Sequence, residues 1–191
     1  MKNNFTKDWF SQHIPSWTRH LEIFKGQPIK ALEIGSFEGR SSLWLMENIL
    51  TNPKSKLTCI DIWENYPESD SLGFQVVGSF ERFKDNLEEY LDRVKTIKGS
   101  SFEEVPKLKD TFDFIYVDGD HTEAGCWIDA VNSFEKLNPG GIMIFDDYNW
   151  SDRMGTELHP KKAIDRFMEQ YKDKITVEEI GYQVVVKKCK P

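Results

Sequence analysis

The chain has 191 residues, 13% of them aromatic, and a formal net charge of -7. That length suits one well-cored domain with little left for a second, and the acidic balance argues against a nucleic-acid partner, since only Lys187, Lys188 and Lys190 form a basic cluster. Three widely spaced cysteines, no signal-peptide pattern and no bilayer-length apolar run give the expectation of a cytoplasmic protein without disulfides or membrane association.

Residues 5–25 carry Trp9, Phe10, Ile14, Trp17, Leu21 and Phe24, mostly three or four apart, which predicts an amphipathic helix broken or restarted at Pro15. Residues 1–28 are therefore read as a helical segment packing on, or forming a lid over, a domain spanning 29–191. The stretch 30–42, KALEIGSFEGRSS, reads as an apolar strand, a glycine turn and a helix start. This is where open α/β sheets bind nucleotide-like ligands. A dinucleotide fingerprint would need glycine where Phe37 and Arg40 stand, and no phosphate-loop Gly-Lys-Ser/Thr follows. Glu33 at the strand end suits a ligand bearing an ammonium or sulfonium, and S-adenosylmethionine carries both.

The second strand, 56–62, ends at Asp61, a ribose-binding candidate 26 residues beyond Gly35. A polar loop at 63–73 precedes a helix at 74–91 with Phe80, Phe83, Leu87 and Leu91 on one face. The third strand, 94–98, empties into a turn with Ser101 and Phe102. Then comes the second informative stretch: DFIYVDGDH, a helix at 122–137 stopped by Asn138-Pro-Gly-Gly, and the strand IMIFDDY. Two near-continuous apolar strands joined by a helix form a right-handed parallel unit. Asp118, Asp146 and Asp147 then converge at the carboxyl edge, where hard oxygen donors suit Mg²⁺, Mn²⁺ or Ca²⁺. An amphipathic helix at 160–171 and an antiparallel pair, 175–180 and 182–187, joined at Gly181, complete the chain.

The order of these motifs resembles class I S-adenosylmethionine-dependent methyltransferases over residues 30–188. It is most similar to the metal-dependent small-molecule O-methyltransferases of the catechol, caffeoyl-CoA and macrocin types. The resemblance implies a Rossmann-like, doubly wound α/β fold with a seven-stranded sheet, mostly parallel, ending in an antiparallel hairpin. It implies Glu33, Gly35, Ser36, Phe37, Gly39 and Ser41 around the methionine end of S-adenosylmethionine, Asp61 and Ile62 at the ribose, and Ser101 and Phe102 beside adenine. Asp118 would touch the cofactor and, with Asp146 and Asp147, hold Mg²⁺ or Mn²⁺. Asp147 stands where catechol-type enzymes usually have asparagine, and His121 where they have a lysine base, so Asp118 and His121 are the catalytic candidates. His121 has an equal alternative as a helix-start residue binding a backbone carbonyl.

The expected reaction is methyl transfer to a hydroxyl of a small molecule, a vicinal diol or sugar, with Trp63, Tyr66, Trp150 and His159 as candidate substrate contacts. The absence of an Asn/Asp-Pro-Pro-Tyr segment argues against methylation of a base nitrogen. The rival readings are a nicotinamide oxidoreductase and a non-catalytic cofactor- or metal-binding module. The acceptor's identity and a possible homo-oligomer stay open.

Overall fold

The computed structural model describes residues 4–64, 76–150 and 160–190. Seven strands form its sheet: β1 (Lys30–Ile34), β2 (Lys56–Asp61), β3 (Val94–Lys98), β4 (Phe112–Val117), β5 (Leu137–Phe145), β6 (Ile175–Ile180) and β7 (Val184–Lys188). Their spatial order is β3-β2-β1-β4-β5-β7-β6. The first five are parallel, and β7 runs antiparallel to both β5 and β6. This is the Rossmann-like α/β sheet expected from the apolar strands and the terminal hairpin.

Alternation along each strand sorts side chains onto two faces. Ala31, Leu57, Cys59, Phe114, Tyr116 and Ile144 pack with α1 (Ile14–Leu21) and α2 (Arg40–Asn48), and with Phe83 of α3 (Ser79–Asn86). Leu32, Ile34, Ile60, Ile115, Met143 and Phe145 pack on the other face with Val105 of α4 (Ser101–Lys107), α5 (Glu123–Lys136) and α6 (Pro160–Gln170). Trp17 is 0% exposed, edge-on to Phe10, Trp44, Phe114 and Tyr116, and its indole N–H donates to Gln183 Oε1 at 2.8 Å. The aromatic spacing of the N-terminal segment is therefore core spacing.

Several element boundaries differ from expectation, each for a local reason. At the N-terminus a 3₁₀ turn, Ser11–His13, gives way to α1, so the helix restarts around Pro15 as expected, with the proline in the first turn, where its missing N–H has no partner to lose. α3 ends at Asn86 and gives way to a short 3₁₀ turn, leaving Leu91 44% exposed and off the buried face. A helix, α4, starts at Ser101 where only a turn was expected. The Asn138-Pro-Gly-Gly run lies inside β5, next to a register shift against β4 and with Gly140 at φ +82°. The last turn spans residues 181–183, Gly181 N–H donating to Gln183 O at 2.8 Å.

Register brings the site together. Ile34 pairs with Val117, and Val117 with Phe145. The residues that follow, Gly35, Asp118 and Asp146, therefore leave three neighbouring strands at one level. Among the described residues no helix is long and apolar enough to cross a membrane.

Candidate active site

The turn after β1 is pressed against the end of β4. Gly35 has φ +83°, and a Cβ there would lie 1.8 Å from the carbonyl oxygen of Asp118. Only glycine permits that approach. Its N–H donates to Ile60 O and the N–H of Asp118 to Ile34 O, both at 2.9 Å, so the three strand ends are laced together.

Glu33 is 0% exposed. The Ser41 hydroxyl donates to its carboxylate at 2.5 Å and the Ser42 hydroxyl to the other oxygen. Burial raises its pKa. The expected seat for a cationic ligand is thus closed off: Glu33 and Ser41 fasten the first turn of α2 to β1, where a carboxylate also complements the helix dipole. Asp61 accepts from the N–H groups of Ser36 (2.9 Å), Phe37 (2.8 Å) and Trp63 (2.7 Å). Burial raises its pKa while the N–H of Ile62 also pulls it down, so the turn engages most of this carboxylate's acceptor directions. Gly39, at φ +77°, leads into α2, Phe37 lies 5.4 Å from the Trp9 ring, and Ile62 is half-buried. Trp63 is 6% exposed, packs on Phe80 and Phe83, and its indole N–H donates to Phe37 O at 2.7 Å. It braces the turn from within and is not offered to a substrate.

Past β4 and β5 the acids converge in a grouping other than the expected trio. Asp118, His121 and Asp147 each bring a ligand atom, all within 4.8 Å of one another. His121 Nε2 lies 2.9 Å from Asp147 Oδ2 and 3.7 Å from Asp118 Oδ1. Asp146 adjoins this trio through Tyr116. Its Oδ2 accepts from the Tyr116 hydroxyl, which also reaches Asp118 Oδ2 at 3.1 Å. Its Oδ1 accepts from Asp147 N–H at 2.8 Å and stands 4.0 Å from His13 Nε2. Tyr182 donates to Asp147 Oδ1 at 2.8 Å and stacks on His13. Two carboxylates and an imidazole at this spacing form a donor set that fits a divalent cation.

Electrostatics follow from the crowding. Burial and the charge of Asp146 push Asp118 well above the usual carboxylate range, and burial and Asp147 raise Asp146. Burial disfavours the charged form of His121, but hydrogen bonds to Asp118 and Asp147 outweigh it and raise its pKa to about 10. That shift favours the protonated ring over the free base that a proton-accepting role would use.

Ser101 opens α4 beside Asp129, a 2% exposed acid on α5 that burial raises to about 6. Phe102 is 61% exposed. Trp150 lies edge-on to His121 at 5.4 Å, whereas Tyr66 and His159 fall outside the described residues. Tyr116, His13 and Tyr182 were not anticipated. Tyr116 was within reach of sequence reasoning, being two residues before Asp118 on the same strand face. His13 and Tyr182 come from the two ends of the chain, and no local pattern announces them.

Phe37, Trp63 and Asp147 have φ of 45°, 44° and 56°, a conformation that bulky residues rarely adopt. All three follow strands at the carboxyl edge, and such strain clusters at functional sites. A family profile described as "Methyltransferase domain" matches residues 32–148, a span holding both the glycine turn and the acid cluster. The chain belongs to this methyltransferase family.

The O-methyltransferase hkm8 of Aspergillus hancockii is 28% identical to this chain over 121 residues, 63% of its length. The match covers 43% of hkm8, so the chain spans less than half the length of that relative. The structure of the O-methyltransferase NovP superposes with a TM-score of 0.70 at 20% identity, covering 94% of this chain and 80% of NovP. The O-methyltransferase TomG of Streptomyces achromogenes, solved with its S-adenosylmethionine, gives 0.66 at 18% identity, covering 93% and 80%. At these identities the two structures establish a shared fold.

Proposed function

We propose that this chain transfers a methyl group from S-adenosylmethionine to a hydroxyl of a small molecule, a sugar or other vicinal diol. The observation that carries the reading is the closeness of the Gly35 turn to Asp118, which sets a donor site and a proton-accepting site side by side. The names of hkm8 and NovP and the ligand of TomG point the same way.

In this reading the turn from Gly35 to Gly39 and the head of α2 receive the amino-acid end of the cofactor. Asp61, at the end of β2, lies where the ribose is held, and Ser101 flanks the base. The acceptor oxygen attacks the methyl carbon in line, the carbon–sulfur bond breaks, and its electron pair stays on a neutral thioether. Holding the two partners in line is the chain's largest contribution. The hydroxyl proton passes to the carboxylate cluster, where Asp118 and Asp146 bind a proton more tightly than ordinary aspartates. Tyr116 holds Asp118 and Asp146 in place and Tyr182 holds Asp147, and Trp150 stands over His121 as a wall for the acceptor. A divalent cation such as Mg²⁺ or Mn²⁺, held by Asp118 and Asp147, would supply Lewis-acid activation of the hydroxyl.

The test is methyl transfer from isotope-labelled S-adenosylmethionine to a panel of phenols, catechols, glycosides and polyketide alcohols, read by mass spectrometry with and without Mg²⁺. Labelled ether products support the reading. Transfer to amines only, or binding of NAD in place of the sulfonium cofactor, overturns it.

A further inference from the structure

We propose that Asp129, on α5, is the positioning residue that makes this chain selective for adenine: it holds the Ser101 hydroxyl so that only oxygen lone pairs face the base. The inference deepens the reading above and takes one premise from it, that the base of the cofactor lies beside Ser101.

Asp129 is buried between the two loops that flank that position. From the loop after β3 the Ser101 hydroxyl donates to its carboxylate, and from the loop after β4 the N–H of Asp120 does the same. Asp129 Oδ2 stands 2.7 Å from where a Cβ of Gly119 would lie, so the carboxylate is wedged under the second loop and cannot swing away. An ionised carboxylate only accepts, so the serine proton is committed to it. Oδ2 has no hydrogen-bond partner, which leaves this buried acid already short of donors. Turning the Ser101 proton toward a ligand would strip the acid of another, and a hydrogen bond to a buried charge is the costly kind to lose. Ser101 itself is half-buried, and its open side therefore presents an acceptor and no donor.

Purine chemistry turns that into a choice. Adenine carries an amino group on its six-membered ring, where hypoxanthine and guanine carry a carbonyl oxygen. An acceptor-only Ser101 pairs with the amine and sets lone pair against lone pair with the carbonyl. The surroundings suit a purine. Phe102, next in sequence, turns a large exposed ring to solvent, and such aromatic faces stack bases. The Gly99 N–H donates to Asp61 O at 2.9 Å, so Ser101 lies two residues, at most about 7 Å of chain, from the acid assigned to the ribose. That is within reach of the far edge of a purine attached to the sugar.

The experiment titrates the full chain in a calorimeter with S-adenosylhomocysteine and with S-inosylhomocysteine, in which a carbonyl replaces the amino group. It is run at pH 8, where Asp129, raised to about 6, is ionised. The unaltered protein is expected to bind the adenine compound at least about tenfold more tightly. Ser101→Ala and Asp129→Leu should each shrink that preference to within about threefold, Asp129→Leu by tightening the inosine compound, since the freed hydroxyl can donate to its carbonyl. Asp129→Asn, which keeps a carbonyl oxygen for both donors, should retain the preference. A residue that only braced the fold would weaken both compounds alike. If Asp129→Leu does not fold, Ser101→Ala decides. A preference below about threefold in the unaltered protein, or one that survives Ser101→Ala, overturns the assignment and leaves methyl transfer standing. Failure of S-adenosylhomocysteine to bind removes the methyl-transfer reading itself, and this assignment with it.

Discussion

Replacing Gly35 by alanine tests the join between the two halves of the site. The new Cβ would stand 1.8 Å from Asp118 O and 2.5 Å from Asp118 C, both backbone atoms, so the two loops must part by more than 1 Å. The left-handed backbone at φ +83° adds about 1–2 kcal/mol for any residue with a Cβ. Parting the loops also strains the Gly35–Ile60 and Asp118–Ile34 hydrogen bonds, each worth about 1 kcal/mol. Together these predict a loss of about 3–4 kcal/mol of folding stability, read as a shifted urea midpoint with an unchanged slope. A misplacement of about 1 Å between donor and acceptor should further lower turnover by roughly a hundredfold. The measurement pairs urea unfolding with single-turnover methyl transfer in the same preparation. A variant within about 1 kcal/mol of the parent and with unaltered turnover would refute the claim that this contact sets the site's geometry.

Trp17→Ala removes a fully buried indole and should destabilise the chain by about 3–5 kcal/mol in urea melts; a cost below about 1 kcal/mol would mean the N-terminal segment is not part of the core. Asp129 is raised from 3.8 to about 6, so the folded state prefers its protonated form, and its contribution is lost as pH climbs through that window. Asp129→Asn should therefore gain on the parent between pH 4 and 6 and be up to about 3 kcal/mol more stable at pH 7, whereas a pH-independent difference would contradict the burial argument. Glu38 is 1% exposed and ties Arg82 (2.5 Å) and both the N–H and hydroxyl of Thr6 (2.6 Å each). Glu38→Ala should cost about 3 kcal/mol and expose residues 4–13 to limited proteolysis, and an unchanged digestion pattern would show that the segment is held by other contacts.

The parts of this molecule that were legible in the sequence are those governed by short-range rules. Near-continuous apolar runs at β1, β2, β4 and β5 announced a parallel sheet, and parallel pairing put the residues after them on one edge. Gly35 marked the turn because a left-handed, closely packed position tolerates little else. The departures arise where a residue's direction depends on distant neighbours. Glu33 looked available to a ligand, but Ser41 and Ser42 of the following helix enclose it. Asp146 and Asp147 looked like a pair, and a single left-handed residue and a phenol from β4 separate them. The charge on His121 is likewise set by where Asp118 and Asp147 point. His13 reaches the site only because Trp17 and Leu21 are anchored in the core one and two helical turns later.

In the proposed function the Gly35 turn seats a sulfonium methyl donor next to the Asp118 cluster. Titrating the protein with S-adenosylhomocysteine in a calorimeter tests it most directly. One saturable site, weakened at least tenfold by Gly35→Ala and left within a few-fold by Asp118→Asn, is the predicted result. No heat of binding, or saturation by NAD under the same conditions, would contradict it.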